Sequence, residues 1–326
     1  MPTKYVGNFV ISLRTLRAFL TQCGAADTVF VINESFEALA RAVLGPEARL
    51  LIFPRSRKRR LRRAISFLSA LRATGYDEII DLDGTVVSGR IVQLARGQRK
   101  VGPGFAKRPR VYTEIIDIDR DTQHCFDDYV RMAAVSGVRV FDRRYLLLPP
   151  TPASPLPLAI DTDRPIACLH PSATKDYKQW SIEKFAQLAD RLVDAGWQVV
   201  VVGAGGGEAG RVESLIGATK ANIINAHDQL SIVQLVQLLQ RSNVYIGNDS
   251  GPMHVAATCG IPVLALFGPT ELIRWRPRTE LGQVIKGDMP CAPTCQPEAC
   301  IRDYRCMTSL TVDAVFDRVK AMTGSG

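Results

Sequence analysis

The chain of 326 residues contains no apolar run approaching the length of a membrane-spanning helix, and no cationic stretch followed by an apolar core opens it. The first absence excludes a transmembrane helix and the second a secretory leader, so a cytoplasmic location is expected. There is no internal repeat and, outside one proline-rich stretch, no low-complexity tract. Eight cysteines occur, but none forms a C-x2-C pair. In a reducing compartment they are expected to stay thiols, and Cys23, Cys125, Cys168 and Cys259 read as small core residues.

What the chain has in surplus is positive charge, a net +9. Seven cations fall within nine positions, Arg55, Arg57, Lys58, Arg59, Arg60, Arg62 and Arg63, between the apolar run Leu50 to Phe53 and the helical pattern Ile65 to Leu71. Such a patch is either a solvated helix start or a surface for anions. No aromatic side chain interleaves with it, which removes the stacking platform that single-stranded nucleic acid uses; no nucleic-acid partner is expected.

The length suits two domains, each able to bury its own core. The run P-P-T-P-A-S-P-L-P-L at 149–158 is stiff and unable to join a sheet interior, so it reads as a linker. The expected domains are 1–150 and 151–326.

Chemistry concentrates in the second half. Val244 to Ile246 is a short apolar run ending at Gly247, followed by Asn248-Asp249-Ser250-Gly251-Pro252-Met253-His254. Pro252 suits a first helical turn, so a helix starts near Ser250 or Gly251. Free amides there, backed by the helix dipole, favour an anion. Asp249 can cap the turn or hold a ribose hydroxyl or a base, and His254 lies one turn further on. Cys259-Gly260-Ile261-Pro262 closes that helix, and Val263 to Phe267 is the next buried strand. The plain alternative makes Asp249 and Ser250 caps and His254 a core residue. Upstream, Ile166 to Leu169 leads into His170-Pro-Ser-Ala-Thr-Lys-Asp-Tyr-Lys-Gln-Trp180 and then the amphipathic segment Ile182 to Ala195. Lysines suit a diphosphate and small hydroxyls add neutral donors; otherwise this is a solvated loop with Ser181 as a cap. A strand ending at Gly203 precedes the glycine run through Gly210, which also satisfies G-x-G-x-x-G, with Asp228 placed where a dinucleotide enzyme keeps a ribose-binding acid. Four further cysteines, Cys291, Cys295, Cys300 and Cys306, fall within sixteen residues and form a candidate structural zinc or iron site.

The order and spacing of H-P-S-A-T-K-D-Y-K-Q-W, the strand ending in G-A-G-G-G-E, N-D-S-G-P-M-H-V-A-A-T-C-G-I-P and F-G-P-T resemble glycosyltransferase family 9, the ADP-heptose:lipopolysaccharide heptosyltransferases. The resemblance is dense over about 166–310. It is thinner upstream, where Tyr5-Val6-Gly7-Asn8, the stretch Tyr76 to Gly84 and Lys100-Val101-Gly102 carry it, most like the heptosyltransferase II branch. It implies an α/β protein of the GT-B fold: two Rossmann-like domains with parallel sheets facing across a cleft, the nucleotide sugar held by the second. By the same resemblance, Ser172, Thr174 and Lys178 bind the diphosphate, with Gly203, Glu208, Asp249, Ser250, Gly251 and His254 completing the donor site. Transfer of heptose would be inverting and would require no cofactor. The basic patch would meet the phosphorylated lipid A and inner-core acceptor, or anionic lipid at the inner face of the inner membrane.

Two departures concern the acceptor side. Asn8 stands where the family carries an aspartate as general base, and an amide cannot take the acceptor proton. Loss of such a base costs about a hundredfold to ten-thousandfold in rate, so Lys178 is the catalytic group expected to be intact and activity is expected to be reduced. Residues 1–6 are also too short and polar for a central buried strand, so either the first strand is truncated or the assigned start is late. Two other classes stand beside this reading: a non-catalytic nucleotide-sugar binder with a scaffold role, and a nicotinamide-dependent dehydrogenase resting on the glycine run alone.

Overall fold

Short apolar runs alternate with amphipathic segments along the chain, and in the computed structural model most of these runs become strands. The structure describes residues 2–55, 60–151, 155–161, 163–287, 295 and 297–324. By contact density the chain divides into two compact units, Met1–Pro149 and Pro150–Gly326.

The first unit runs α1 (Val6–Cys23), β1 (Val29–Asn33), α2 (Glu37–Leu44), β2 (Arg49–Phe53), α3 (Arg60–Ala73), β3 (Gly75–Ile80), α4 (Val86–Leu94), β4 (Arg96–Pro103), β5 (Glu114–Ile116) and α5 (Cys125–Ala134). Its strands are parallel but form two sheets, β1–β2 and β3–β4–β5, where a single Rossmann-like sheet was expected. The reason lies ahead of α1. Residues 2–5 form no strand; instead the Thr3 hydroxyl accepts the Tyr5 amide at 3.2 Å, and the Thr3 carbonyl accepts Asn33 Nδ2 at 3.0 Å, at the end of β1. Backbone spent on these bonds makes no ladder. α1 then buries Phe9, Val10, Leu13 and Leu16, with Phe9 stacked on Phe36 at 4.9 Å. α3 begins at Arg60, earlier than the Ile65 start expected from its apolar pattern.

The second unit runs β6 (Ile166–His170), α6 (Ile182–Asp194), β7 (Gln198–Val201), α7 (Gly206–Ala218), β8 (Ile224–Asn225), α8 (Ile232–Arg241), β9 (Val244–Asn248), α9 (Gly251–Ala257), β10 (Val263–Phe267), α10 (Leu272–Trp275), β11 (Gly282–Lys286), α11 (Arg305–Thr308) and α12 (Val312–Thr323). Its six strands make one parallel sheet in the order β11-β10-β9-β6-β7-β8. Every residue of β6, β9 and β10 is buried, as parallel strands covered on both faces require. Ala167, Leu169, Val199, Val201, Val244, Ile246, Leu264 and Leu266 face one core with α6, α7 and α12. Cys168, His170, Tyr245 and Gly247 alternate with those residues and belong to the opposite face.

From β6 the chain builds outward to β7 and β8, then returns to the other side of β6 with β9 and continues to β10 and β11. The strand order therefore reverses between β6 and β9. In open parallel sheets that switch point, at the carboxyl ends of the strands, is where ligands bind.

Candidate functional site

The loops leaving β6 and β9 lie side by side at this switch point. His170 pairs in register with Gly247, so residues 171–181 and 249–250 emerge together. Lys178, at the end of a single 3-10 turn (Asp176–Lys178), reaches Asp249, its Nζ donating to Oδ2 at 2.7 Å. The Lys178 side chain is 19% exposed and that of Asp249 5%. Asp249 is thus an anchor for the lysine rather than a helix cap.

The loop is held by contacts that spacing could not reveal. Asn248 is buried; its Oδ1 accepts the Trp180 amide at 3.0 Å and its Nδ2 donates to the Pro171 carbonyl at 2.8 Å. Arg211 donates to the carbonyls of Pro171 (3.2 Å) and Trp180 (2.8 Å). Trp180 is fully buried and donates its indole N–H to the Leu310 carbonyl, which makes it a packing anchor. Within the loop the Ser172 hydroxyl is buried without a hydrogen-bond partner among the described residues, whereas Thr174 is exposed. A buried orphan hydroxyl is costly, and this one sits in the loop that carries Lys178.

α9 begins at Gly251, with Pro252 in its first turn. Ser250 makes no capping bond; its Oγ lies 3.1 Å from His170 Nδ1. His170 Nε2 in turn lies 3.2 Å from Glu208 Oε2, and the Ala204 amide donates to the same carboxylate oxygen at 2.9 Å. Burial pushes the Glu208 carboxyl upward, but the hydrogen bonds from His170 and Ala204 outweigh it and hold its pKa below the ordinary value. Gly203 is glycine for a local reason. A Cβ there would come within 3.0 Å of both Glu208 Oε2 and His227 Cδ2. His254 is buried in α9, and burial, with Lys178 adding to it, lowers its pKa to about 3. It is therefore a neutral hydrogen-bonding group at physiological pH.

The glycine run does form a strand–turn–helix. However, Asp228 accepts the Gly205 amide at 2.7 Å, which ties the acid into the loop. Of the four-cysteine group, Cys291 lies outside the described residues. Cys295 and Cys300 are half-buried and Cys306 is buried in α11. Among the described residues no group of three His, Cys, Asp or Glu side chains could hold a metal ion.

In the first unit Asn8 is half-buried in the first turn of α1. One acid of this unit with a strongly raised pKa is one that residue spacing did not single out. Asp83 follows β3, and burial, reinforced by neighbouring Asp81, raises its pKa to about 6. Asp81 accepts the Tyr112 hydroxyl at 2.6 Å and the amides of Asp83 and Gly84 at 2.8 and 3.2 Å. Of the basic run, Arg57, Lys58 and Arg59 lie outside the described residues, and Arg60 opens α3. The Arg55 amide and Arg63 Nη1 both donate to Glu34, each at 2.8 Å, and Arg62 is exposed. Glu34 and Arg63 also line a cavity of about 280 Å³ with Phe67 and Pro54.

The model of glycosyltransferase family 9 (heptosyltransferase) matches residues 64–304. The chain belongs to glycosyltransferase family 9. This family member is 25% identical over 172 residues, 51% of its own length and 54% of the relative's, to lipooligosaccharide heptosyltransferase 2 of Campylobacter jejuni. It thus spans about half the length of that curated relative. Among solved structures it is similar to the Escherichia coli ADP-heptose lps heptosyltransferase II, with a TM-score of 0.77 at 18% identity over 98% of this chain and 96% of that one. It is also similar to the E. coli heptosyltransferase WaaC with ADP, with a TM-score of 0.72 at 19% identity over 98% of each chain. The fold of this glycosyltransferase family 9 member is accordingly GT-B. Among the described residues no helix is long and apolar enough to cross a membrane.

Proposed function

We propose that this protein is an inverting glycosyltransferase that binds ADP-heptose in its second unit and transfers heptose to the inner core of lipopolysaccharide. The observation that carries the reading is the Lys178–Asp249 pair, contributed by the loops after the two strands that flank the switch point. As the bond from sugar to diphosphate breaks, negative charge grows on the departing ADP while the sugar becomes oxocarbenium-like. A preorganised cation and neutral donors beside that charge lower the barrier. Lys178 is held in place before substrate arrives, Ser172 offers an unused hydroxyl, and His254, being neutral, adds no second charge. Family membership and the ADP-bound relative support the choice of nucleotide.

The acceptor side rests on the start of α3. Cations stand at the positive end of that helix, and its first turn has no acidic residue. Glu34, which accepts from the Arg55 amide and Arg63, is one anion at this helix start, and the exposed Arg62 suits a further one. Leu61 and Ile65, one turn apart, are 74% and 59% exposed beside Arg62. Phosphorylated inner core at an anionic membrane surface supplies both kinds of contact, and the protein on this reading is cytoplasmic and peripheral to the inner membrane. A transfer assay with ADP-heptose and a phosphorylated lipid A–inner-core acceptor tests the whole reading; heptose must appear on the acceptor.

One observation favours a second reading. Asn8 supplies no base, so a chain that binds ADP-heptose without turning it over would be a nucleotide-sugar-binding homologue with a scaffold role. Turnover with any acceptor excludes that.

A further inference from the structure

His170 closes β6, a strand whose other four residues are Ile, Ala, Cys and Leu, and it is fully buried. Packing alone does not call for an imidazole there. Its two nitrogens have unlike partners: Nε2 faces the Glu208 carboxylate at 3.2 Å, and Nδ1 faces the Ser250 hydroxyl at 3.1 Å. Across the strand pair is Gly247, whose Cβ would lie 2.6 Å from the Tyr245 hydroxyl and 3.0 Å from the His170 carbonyl. Tyr245 is fully buried, and its hydroxyl has no hydrogen-bond partner among the described residues. After β6 and β9 there is thus a continuous polar chain, Glu208–His170–Ser250.

The donor and acceptor roles along this chain follow from the partners. An ionised Glu208 only accepts, so Nε2 carries the proton. For a neutral ring that one proton serves both contacts, because the Ser250 hydroxyl can donate and Nδ1 can then accept. The Ser250 proton is then turned inward to Nδ1. Its oxygen, on a half-exposed residue, shows the site lone pairs only. A phosphate oxygen brings no proton to such a group, whereas a sugar hydroxyl does.

We propose that His170 is a positioning residue that fixes Ser250 as a hydrogen-bond acceptor, and that Ser250 reads a hydroxyl of the bound nucleotide sugar rather than its diphosphate. The inference rests on the donor site proposed above and divides its labour. Lys178 and Ser172 serve the diphosphate, and Ser250 checks that a polyol is attached. The hydroxyl belongs either to the transferred sugar or to the ribose, and the two sources are separable.

The test has two arms. In the first, 15N imidazole spectra of the ligand-free native chain, with the His170 signal identified by its loss in His170→Gln, report the tautomer. Protonated Nε2 with unprotonated Nδ1 is expected, and a protonated Nδ1 overturns the proposal. In the second, ADP-heptose and ADP are titrated into the native chain, Ser250→Ala, His170→Gln and the double variant. Glutamine keeps an amide donor for Glu208 and removes the ring nitrogen that faces Ser250. Each single variant is expected to lose about tenfold in ADP-heptose affinity, the worth of one ordinary hydrogen bond, and the double variant no more than either. Unchanged ADP affinity assigns the hydroxyl to the sugar, and an equal loss for ADP assigns it to the ribose. An unaffected His170→Gln, or losses that add, overturns the proposal. If the native chain binds neither nucleotide, the donor-site reading fails, while the spectra still decide the relay.

Discussion

Lys178 and Asp249, separated by 71 positions in the chain, meet at 2.7 Å with both side chains largely withdrawn from solvent. Neither charge is well placed without the other. Asp249→Ala leaves the ammonium half-buried and alone, and the second unit is expected to lose about 2 kcal/mol, less than for a fully buried pair because Lys178 keeps some solvent. The apolar double variant Lys178→Met/Asp249→Leu should recover most of that loss yet transfer nothing. Urea unfolding followed by tryptophan fluorescence checks this, since Trp180, Trp197 and Trp275 all lie in the second unit. A double variant as unstable as the single one would contradict it.

Asn8 predicts a gain. Restoring a carboxylate with Asn8→Asp should raise kcat about a hundredfold or more, the usual worth of a positioned base, with little change in the KM for the donor. Steady-state transfer rates above and below neutral pH measure it, because a new base brings a new acid limb to the profile.

Gly247 predicts a loss with no chemistry involved. Its Cβ position is occupied by the Tyr245 hydroxyl and the His170 carbonyl, at 2.6 and 3.0 Å. Gly247→Ala should therefore destabilise the second unit by about 1–3 kcal/mol through overpacking, read as a lower urea midpoint at unchanged slope.

His254 predicts a pH dependence. Its pKa falls from the ordinary 6.5 to about 3 on folding, chiefly through burial. The unfolded state therefore binds the proton first as pH falls. Stability contributed by the neutral ring is complete above pH 6.5 and is lost on acidification, at about 1.4 kcal/mol per pH unit down toward pH 3. Asp83, in the first unit, has the opposite sign. Its pKa is raised to about 6, so its contribution is lost as pH rises from about 4 to 6. Tryptophan-detected unfolding between pH 4.5 and 7 should show the His254 slope, and His254→Gln should flatten it.

The second unit was legible in the sequence to an unusual degree because its strands are buried on both faces and read as unbroken apolar runs, each stopped by the polar residues that form the site. Lys178, Asp249 and His254 could be named as candidates because they follow those stops. Their partners could not. Asn248 to Pro171, Arg211 to Trp180 and Glu208 to His170 join positions 31 to 77 residues apart, and periodicity reports which face a residue occupies, not what it meets there. The contact of Ser250 with His170 was equally out of reach, since the only signal for His170 is an imidazole ending an apolar strand. The first unit was less legible for a related reason. Its five strands fall into a two-stranded and a three-stranded sheet, and the bond that ties residues 2–5 to β1, from the Asn33 side chain to the Thr3 carbonyl, spans 30 positions.

The proposed nucleoside-diphosphate clamp, made by the loops after β6 and β9, makes ADP binding depend on Lys178. Calorimetric titration of ADP into the native chain and into Lys178→Met tests it most directly. Saturable binding of one ADP per chain is expected, with a loss of thirtyfold or more in the variant, about 2 kcal/mol, as for a charge-assisted contact. Equal affinity in the two proteins, or no binding to the native chain, would contradict it.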